Sequence, residues 1–348
     1  MLTSEVKLDQ LLKSTSRAFY LSLRILPKQV RKPISLAYLM ARAADTITDT
    51  PNISAVVKIK SLDAIKLALS NDKTDLNFTS LSENNASQTL TELENQLVKA
   101  IPIILTCIQS LNSTDYIQVK NVVLTLIQGM EMDLRYFSDP INKSGVLSLT
   151  NSDELDQYTY LVAGCVGPFW TEISFANESK LKNTDVSFMS SLGIDFGKAL
   201  QMTNILRDCP SDIRLGKCYI PDEDLNELKL SHSDLLNPIH TKEVKQLLSN
   251  QIDKTLNLYQ SAERYVLSIP ATKMRLRLAV LWPLLLGLGT LNALAMKETW
   301  IQSDSVTKVS RFWVYKMMLK SLFFVTSDYL IKYWIKQLRD SITQHLKT

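Results

Sequence analysis

The sequence predicts an all-α protein built as a single domain over residues 1–348. Apolar residues recur at the helical spacing i, i+3, i+4 and i+7 through most of the chain, and long alternating strand patterns are absent. Glycine is scarce, with nine residues, and neither common glycine-rich nucleotide-binding pattern occurs. We therefore expect about ten helices around a substantial apolar core, without a glycine-rich nucleotide loop.

The apolar spacing predicts where these helices and the intervening loops lie. The predicted helices cover residues 5–26, 30–49, 55–69, 87–111, 115–137, 153–177, 185–209, 241–267, 274–297 and 307–341. Two polar stretches, 70–87 and 138–153, are predicted to be exposed loops, and the second opens with Asp139-Pro140.

The charge and the cysteines limit the class of partner and the compartment. A formal net charge of +4 fits anionic small ligands or an anionic lipid surface, and it is too weak to indicate nucleic acid. The four cysteines form no C-x-x-C pair and no secretory signal precedes them, which predicts reduced thiols in a cytoplasmic protein. Three histidines are too few and too badly spaced for a histidine zinc site, so any metal should be a hard cation bound by oxygen.

Two apolar stretches near the C-terminus raise the question of a membrane. Residues 278–296 carry no charge and nearly reach the length of about 20 residues that a membrane span needs. We predict a buried core helix there, because the stretch stands alone and arginines flank only one side. The aromatic stretch within 307–341 also carries Lys316, Lys320, Lys332 and Lys336. Core packing is the favoured interpretation, and peripheral association with the inner face of the membrane is the alternative.

A polar stripe lies on the predicted helix 30–49. Four polar residues follow the spacing i, i+4, i+7 and i+11, namely Tyr38, Arg42, Asp45 and Asp49, while the other side is apolar. Two carboxylates one turn apart can bind a divalent cation, and magnesium prefers hard oxygen ligands that it shares with phosphate. The arginine supplies a fork for diphosphate oxygens. An exposed stripe with Arg42 paired to a neighbouring aspartate is the structural alternative.

A second polar stripe begins in the predicted helix 185–209 and continues just beyond its end. Its residues are Gln201, Asn204, Asp208 and Asp212, with the cations Arg207, Arg214 and Lys217 nearby. Pro210 lies between the two aspartates, where it would kink or end a helix, so their one-turn spacing is in question. Two carboxylate faces, each beside an arginine, suggest opposing walls of a cavity for a magnesium–diphosphate cluster.

These motifs, in this order, resemble the squalene/phytoene synthase family. The resemblance is carried by SRAFY at Ser16–Tyr20, DTITD at Asp45–Asp49, GMEMDL at Gly129–Leu134, YTYLVAGCVG at Tyr158–Gly167, the Q-x-x-N-I-L-R-D-x-x-x-D run from Gln201 and the RLGKCYIP run from Arg214 to Pro221. The motif-bearing part covers residues 16–300 and is followed by the C-terminal helices 307–341. The apolar 278–296 helix and KVSR at Lys308–Arg311 resemble the C-terminal part of bacterial squalene synthases.

The resemblance implies a fold, a reaction and a set of site residues. The fold is the isoprenoid-synthase fold, with helices around a central apolar cavity. The reaction joins two farnesyl diphosphates head to head through presqualene diphosphate to give squalene. By matching position, the magnesium ligands would be Asp45, Asp49, Asn204, Asp208 and Asp212. The diphosphate contacts would be Ser16, Arg17, Tyr38, Arg42, Arg207, Lys217 and Tyr219. Tyr158 would lie where carbocations form, and with Arg42, Asp45 and Asp208 it would make up the catalytic set.

The motifs leave the product and the assembly open. Squalene requires a hydride from NADPH, whereas dehydrosqualene and phytoene do not, and no nicotinamide-binding residues are identified. The RDCPSDIRLGKCYIP segment, which starts at Arg207, and the C-terminal segment resemble bacterial squalene synthases more than phytoene synthases, and this resemblance favours squalene. A non-catalytic relative kept for assembly would have lost one or both carboxylate pairs, and both are present. The oligomeric state is not indicated.

Overall fold

A computed structural model describes residues 4–16, 19–51, 53–71, 90–137, 145–178, 181, 185–301 and 306–347. The chain divides into two compact units, each built from two segments. The first unit comprises Met1–Ser138 and Phe169–Val186, and the second comprises Asp139–Pro168 and Ser187–Thr348. The single domain and its central cavity stay predictions from the sequence.

Within its described residues, the first part of the chain contains helices and no strand. Its helices are α1 (Ser4–Thr15), α2 (Phe19–Ile25), α3 (Lys28–Asp49), α4 (Ala55–Asn71), α5 (Glu92–Lys99), α6 (Ile101–Gln109) and α7 (Ser113–Phe137). Helix α3 is central to this unit, because it packs against α5, α6 and α7. Its apolar face, from Val30 to Ile47, is buried.

The rest of the chain adds further helices and one small strand pair. In order these are β1 (Leu147–Ser148), α8 (Ser152–Thr159), a π-helical turn (Tyr160–Gly164), α9 (Val166–Asn177), α10 (Val186–Arg214), β2 (Lys217–Cys218), α11 (Asp222–Glu227), 3₁₀ turns at Asp234–Leu236 and Pro238–His240, α12 (Thr241–Ser268), α13 (Met274–Ala295), α14 (Arg311–Phe324) and α15 (Asp328–Lys347). The strands pair in parallel, Leu147 opposite Lys217. The prediction of an all-α fold is confirmed.

Several predicted helices are divided or extended in the structure. The predicted helix 5–26 is wrong as a single element, since α1 ends at Thr15 and α2 begins at Phe19. The stretch 87–111 divides at Ala100, because Pro102 has no backbone N–H and suits the first turn of a new helix. The stretch 307–341 divides after Phe324. The predicted loop 138–153 contains β1, whose two residues are too few to show a strand period.

Helix α13 is the one described helix that is long and apolar enough to cross a membrane. Its most apolar window has a mean hydropathy of 1.8, and 72% of that window is buried inside the structure. The helix packs against α12, α14 and α15. These contacts agree with the predicted core helix.

Candidate active site

The first carboxylate face lies on α3, and its orientation follows from the burial of the opposite face. Ala43, Ala44 and Ile47 are buried to 1% exposure or less, whereas the side chains of Arg42 and Asp45 are each 38% exposed. Arg42 and Asp45 form an ion pair three residues apart along the helix. The pairing of Arg42 with a neighbouring aspartate, which the sequence offered as an alternative, is therefore observed. Both side chains remain accessible to solvent.

The electrostatics of α3 disfavour a charged Asp45 in the metal-free protein. The pKa of Asp45 is raised to about 6. Burial is the main cause, the negative charges of Asp49 and Asp133 add to it, and Arg42 opposes the shift. At Asp45, Arg42 therefore does not offset the combined effect of burial and the neighbouring carboxylates. A bound divalent cation would reverse the balance, because its charge stabilises the ionised form.

Asp133 is a residue of this site that the sequence reasoning did not assign. It lies on α7 within the GMEMDL motif, and its charge reaches Asp45. The neighbouring Glu131 is 8% exposed and forms an ion pair with Lys66 of α4 at 2.5 Å. The motif was visible in the sequence, but which of its acids faces α3 depends on how the two helices pack.

Two predicted diphosphate contacts of the first unit have their hydroxyl protons engaged elsewhere. Ser16 is 5% exposed, and its hydroxyl donates to the carbonyl of Leu12 at the end of α1. The Tyr38 hydroxyl donates to the carbonyl of Thr15 at 3.1 Å, and its ring lies 5.4 Å from that of Phe19. Both groups stabilise the break between α1 and α2, so each would have to rotate to donate to a phosphate oxygen. The third contact, Arg17, lies outside the described residues.

The second carboxylate face lies on α10, which runs without interruption through Pro210. A proline leaves the carbonyl four residues earlier without its helical donor. That carbonyl belongs to Leu206, and the indole N–H of Trp300 donates to it at 2.8 Å. Trp300 is 3% exposed, so the replacement bond is buried. The expected kink is thus compensated, and Asp208 and Asp212 remain one turn apart on a continuous helix.

The polar residues of α10 are half-buried and partly paired with each other. Arg207 binds both carboxylate oxygens of Asp208, at 2.8 Å from Nε and 2.5 Å from the terminal nitrogen. This bond raises the pKa of Arg207. The Asn204 amide donates to Gln201 at 3.4 Å. Two of the five guanidinium donors are used in the pair, which leaves others for an anion.

Strand β2 brings Lys217 and Tyr219 to the second unit's site. Gly216 ends α10 with a φ of +81°, a left-handed conformation that favours glycine, and its N–H donates to Ile213 at 2.9 Å. Lys217 and Tyr219 are half-buried on either side of the buried Cys218 in the chain. The Tyr219 ring stacks on Tyr158 at 4.9 Å between centroids and 20° between planes. The structure therefore brings together two residues predicted for the site.

The segment that follows Tyr158 is held against α10 by close backbone packing. The π-helical turn is closed by the bond from the Cys165 N–H to the Tyr160 carbonyl at 2.8 Å. A Cβ added to Gly197 would lie 2.8 Å from the Cα of Gly164, which leaves no space for a side chain. Gly164 and Gly167 therefore allow close helix packing here. Such π turns are frequent at functional sites.

The carboxylate faces suit magnesium, because this ion does not require a site in which protein side chains supply every ligand. Among the described residues, no group of three or more His, Cys, Asp or Glu side chains converges on a single point. Magnesium usually takes one or two carboxylates and completes its shell with water and substrate phosphates. Two accessible aspartates a turn apart on α3, and two on α10, fit that mode of binding.

The helical fold and its two acidic helix faces define a class of protein, the all-α isoprenoid synthases, and comparison with known proteins gives the family. A family model described as squalene/phytoene synthase matches residues 12–313. The chain belongs to the squalene/phytoene synthase family. Members of this family are prenyltransferases that act on isoprenyl diphosphates and use a divalent metal for diphosphate ionisation.

Relatives and solved structures agree with this family. The chain is 27% identical over 279 residues to a chloroplastic phytoene synthase of an Oncidium hybrid cultivar, which covers 80% of this chain and 57% of the relative. It is 27% identical over 256 residues to the 15-cis-phytoene synthase of Synechocystis, with coverages of 72% and 65%. The chain therefore spans less than two thirds of the length of these relatives.

Two solved structures show the same fold at low sequence identity. A ligand complex of TcSQS superposes with a TM-score of 0.73 at 17% identity, covering 97% of this chain and 98% of that one. A dehydrosqualene synthase in complex with ligand superposes with a TM-score of 0.63 at 18% identity, with coverages of 93% and 97%. The predicted isoprenoid-synthase fold class is confirmed.

Proposed function

We propose that this protein joins two allylic isoprenyl diphosphates head to head, and that farnesyl diphosphate and squalene are its substrate and product. One observation carries the proposal: both carboxylate pairs of the family are intact, each on the accessible face of an otherwise buried helix and next to an arginine. Exposed like charges a turn apart destabilise a helix. A non-catalytic relative would carry that cost without any benefit from metal binding.

The proposed metal ligands are Asp45, Asp49, Asn204, Asp208 and Asp212. Bound magnesium would neutralise the negative charge that develops as pyrophosphate leaves the allylic carbon. Arg42 and Arg207 are the proposed diphosphate contacts beside the carboxylates, and each already lies against an aspartate of its own helix. The further proposed diphosphate contacts are Ser16, Arg17, Tyr38, Lys217 and Tyr219. Each arginine would keep its aspartate oriented while its remaining N–H groups bind phosphate oxygens.

Tyr158 and Tyr219 are proposed to shield and stabilise the allylic cation. Tyr158 is 7% exposed and is covered by the ring of Tyr219, so the pair presents aromatic surface and excludes water locally. An aromatic face attracts a cation through its quadrupole. Water would quench the cation, so a dry aromatic surface suits this chemistry. The Tyr158 hydroxyl is the proposed proton-transfer group.

The product is the finer part of the proposal. The RDCPSDIRLGKCYIP segment favours squalene, which requires NADPH as the reductant. Phytoene is the second candidate, because the curated relatives at 27% identity are phytoene synthases. Dehydrosqualene is the third candidate product, because the same condensation of farnesyl diphosphate would give it if no reductant took part. The proposed location is cytoplasmic.

Product analysis separates these candidates. The purified protein with magnesium is incubated with farnesyl or geranylgeranyl diphosphate, each with and without NADPH. Squalene from farnesyl diphosphate only when NADPH is present is the expected result. Dehydrosqualene in the presence of NADPH would reject the reductive step, and a forty-carbon product from geranylgeranyl diphosphate alone would reject squalene in favour of phytoene.

Substitution of one ligand in each carboxylate pair tests the site itself. Asp45→Asn and Asp208→Asn each remove a metal ligand without changing core volume, so turnover should fall by more than about 100-fold while the helical circular dichroism stays the same. The wild-type protein with a chelator is the matched control. Full activity in both variants would reject the assignment.

A further inference from the structure

Helix α14 carries an apolar face that points to solvent. Its exposed residues follow a helical spacing and continue onto the first turns of α15; together they form the α14 surface: Phe312, Tyr315, Leu319, Leu322, Phe323, Tyr329 and Tyr333. Phe312 is 78% exposed and Phe323 is 72% exposed. The interpretation of this stretch as core-packed is therefore wrong for its outer face.

The opposite face of α14 is held against α13, so the apolar stripe cannot turn inward without unpacking the helix. Ser321 is fully buried, and its hydroxyl accepts a hydrogen bond from the indole N–H of Trp282 at 2.8 Å. Met317 is 2% exposed on the same side. Trp313 packs so closely on Gly289 that an added Cβ there would lie 2.6 Å from the indole ring. The outward direction of the stripe is thus set by the packing of the inner face.

The charges around the α14 surface are predominantly positive. Residues 306–337 contain six cations and one acid: Lys308, Arg311, Lys316, Lys320, Lys332, Lys336 and Asp328. The single acid is engaged in an ion pair with Arg277, which is fully buried. Helix α14 itself has no acidic residue. Helix α14 therefore contributes only positive charge beside the apolar stripe, while Lys332 of α15 lies near the carboxylate of Glu263.

The combination of aromatic rings, apolar side chains and cations identifies the occupant. We propose that the α14 surface docks this protein onto an anionic lipid bilayer, with the helix lying in the plane of the headgroups. Helices of this kind insert Phe and Leu among the acyl chains and place Lys and Arg against anionic headgroups. Tyr329 and Tyr333, stacked with centroids 6.5 Å apart, suit the polar boundary of a bilayer.

A second copy of the chain fits the same surface less well. An antiparallel or parallel pairing of two α14 helices would bring cations against cations, without a carboxylate on either helix to compensate them. Like charges facing each other across an interface are destabilising. The docking proposal does not depend on the proposed reaction, so the two can fail separately.

Vesicle flotation tests the proposal directly. The full-length protein is mixed with vesicles of phosphatidylcholine alone, or of phosphatidylcholine with phosphatidylglycerol, and then floated at low and high salt. The wild type should float with the anionic vesicles, and less so at high salt. The combined variant Lys316→Gln and Lys332→Gln should lower this partition about 10-fold or more, at about 1 kcal/mol per cation.

A matched pair of triple variants separates the α14 surface from general stickiness. Phe312→Ser with Leu319→Ser and Phe323→Ser should abolish flotation on anionic vesicles. The control replaces three exposed apolar residues elsewhere, Val56, Leu67 and Ile239, by serine, and it should float like the wild type. Light scattering after gel filtration reports the oligomeric state of each variant without lipid.

Three outcomes would overturn the proposal. The first is a wild type that does not float with anionic vesicles. The second is an equal loss of flotation in the control triple variant. The third is a wild-type dimer that becomes monomeric in the α14 triple variant while flotation is unchanged, which would assign the surface to a second copy.

Discussion

At the scale of single residues, the chemistry of the site depends on which polar groups already have partners. Arg207 binds Asp208 with two hydrogen bonds, whereas Asp45 shares its region with two other carboxylates and one arginine. The surroundings of Asp45 therefore oppose its ionisation despite the adjacent Arg42. Carboxylates placed together to bind a divalent cation are expected to lower the stability of the protein until that cation binds.

The substitution Asp45→Asn should raise the thermal stability of the metal-free protein while it removes turnover. Because the pKa of Asp45 is raised to about 6, its ionised form costs stability, and that cost grows as pH rises from about 4 through 6. The side chain is 38% exposed, so solvent moderates the effect to a few degrees at most. Thermal denaturation with a chelator should show a higher Tm than the wild type at pH 8 and a smaller difference at pH 5. A lower Tm at pH 8 would contradict this prediction.

Tyr158→Phe tests the role of the hydroxyl, because phenylalanine preserves the ring that stacks on Tyr219. If the hydroxyl serves proton transfer, the variant should bind substrate normally and show a lower kcat, by about 10- to 1000-fold. Steady-state kinetics with farnesyl diphosphate measure both parameters. A change in KM with an unchanged kcat would exclude the proposed role.

At the scale of elements, helix α10 owes its continuity to a residue of another segment. Pro210 removes a helical donor, and the Trp300 indole restores it at the Leu206 carbonyl. The same helix is also held by glycine contacts to the segment that carries Tyr158. The positions of the second aspartate pair and of Tyr158 are therefore connected through α10.

Trp300→Phe should destabilise the protein and also weaken metal binding. Leaving the buried Leu206 carbonyl without a donor costs about 1–3 kcal/mol of unfolding free energy. The turn between Asp208 and Asp212 should loosen, so the magnesium concentration for half-maximal activity should rise about 10-fold or more. Trp282→Phe is the matched control, because it also removes a buried indole hydrogen bond but from α13 to Ser321. A similar loss of magnesium affinity in both variants would refute the positioning role.

At the scale of the whole molecule, the four free cysteines report on the two units separately. Cys107 is half-buried in the first unit, whereas Cys165, Cys209 and Cys218 are buried in the second. Burial raises the pKa of Cys165 and of Cys218 to about 12, and it raises the pKa of Cys209 as well. These three thiols should react slowly, since little thiolate forms near neutral pH and reagents cannot reach them.

Thiol titration at pH 8 should therefore give one fast equivalent per folded chain and three slow ones. The slow reaction should follow the unfolding of the second unit as denaturant is added, because opening exposes all three thiols together. A Cys107→Ala variant should lose the fast phase. Two or more fast equivalents in the wild type would show that the second unit is less closed than its structure indicates.

The sequence was sufficient to predict most helices and the two aspartate pairs of the candidate site. The 3.6-residue period of apolar residues determined the helices, and it also placed Asp45 with Asp49, and Asp208 with Asp212, on single faces. Helix breaks were missed after Thr15 and Phe324, because an apolar period continues across a turn when both flanking helices bury one side. The two-residue strands were missed because they are shorter than any period.

The tertiary structure decided what periodicity does not encode, namely which groups meet. The Leu206 carbonyl finds its donor 94 residues away, and Asp133 reaches Asp45 from another helix. The sequence showed that α14 is rich in apolar residues, but only the packing of the helix showed that about half of them are exposed to solvent. Whether a helix face is buried or hydrogen-bonded depends on which other segment packs against it, and that segment lies far away in the sequence.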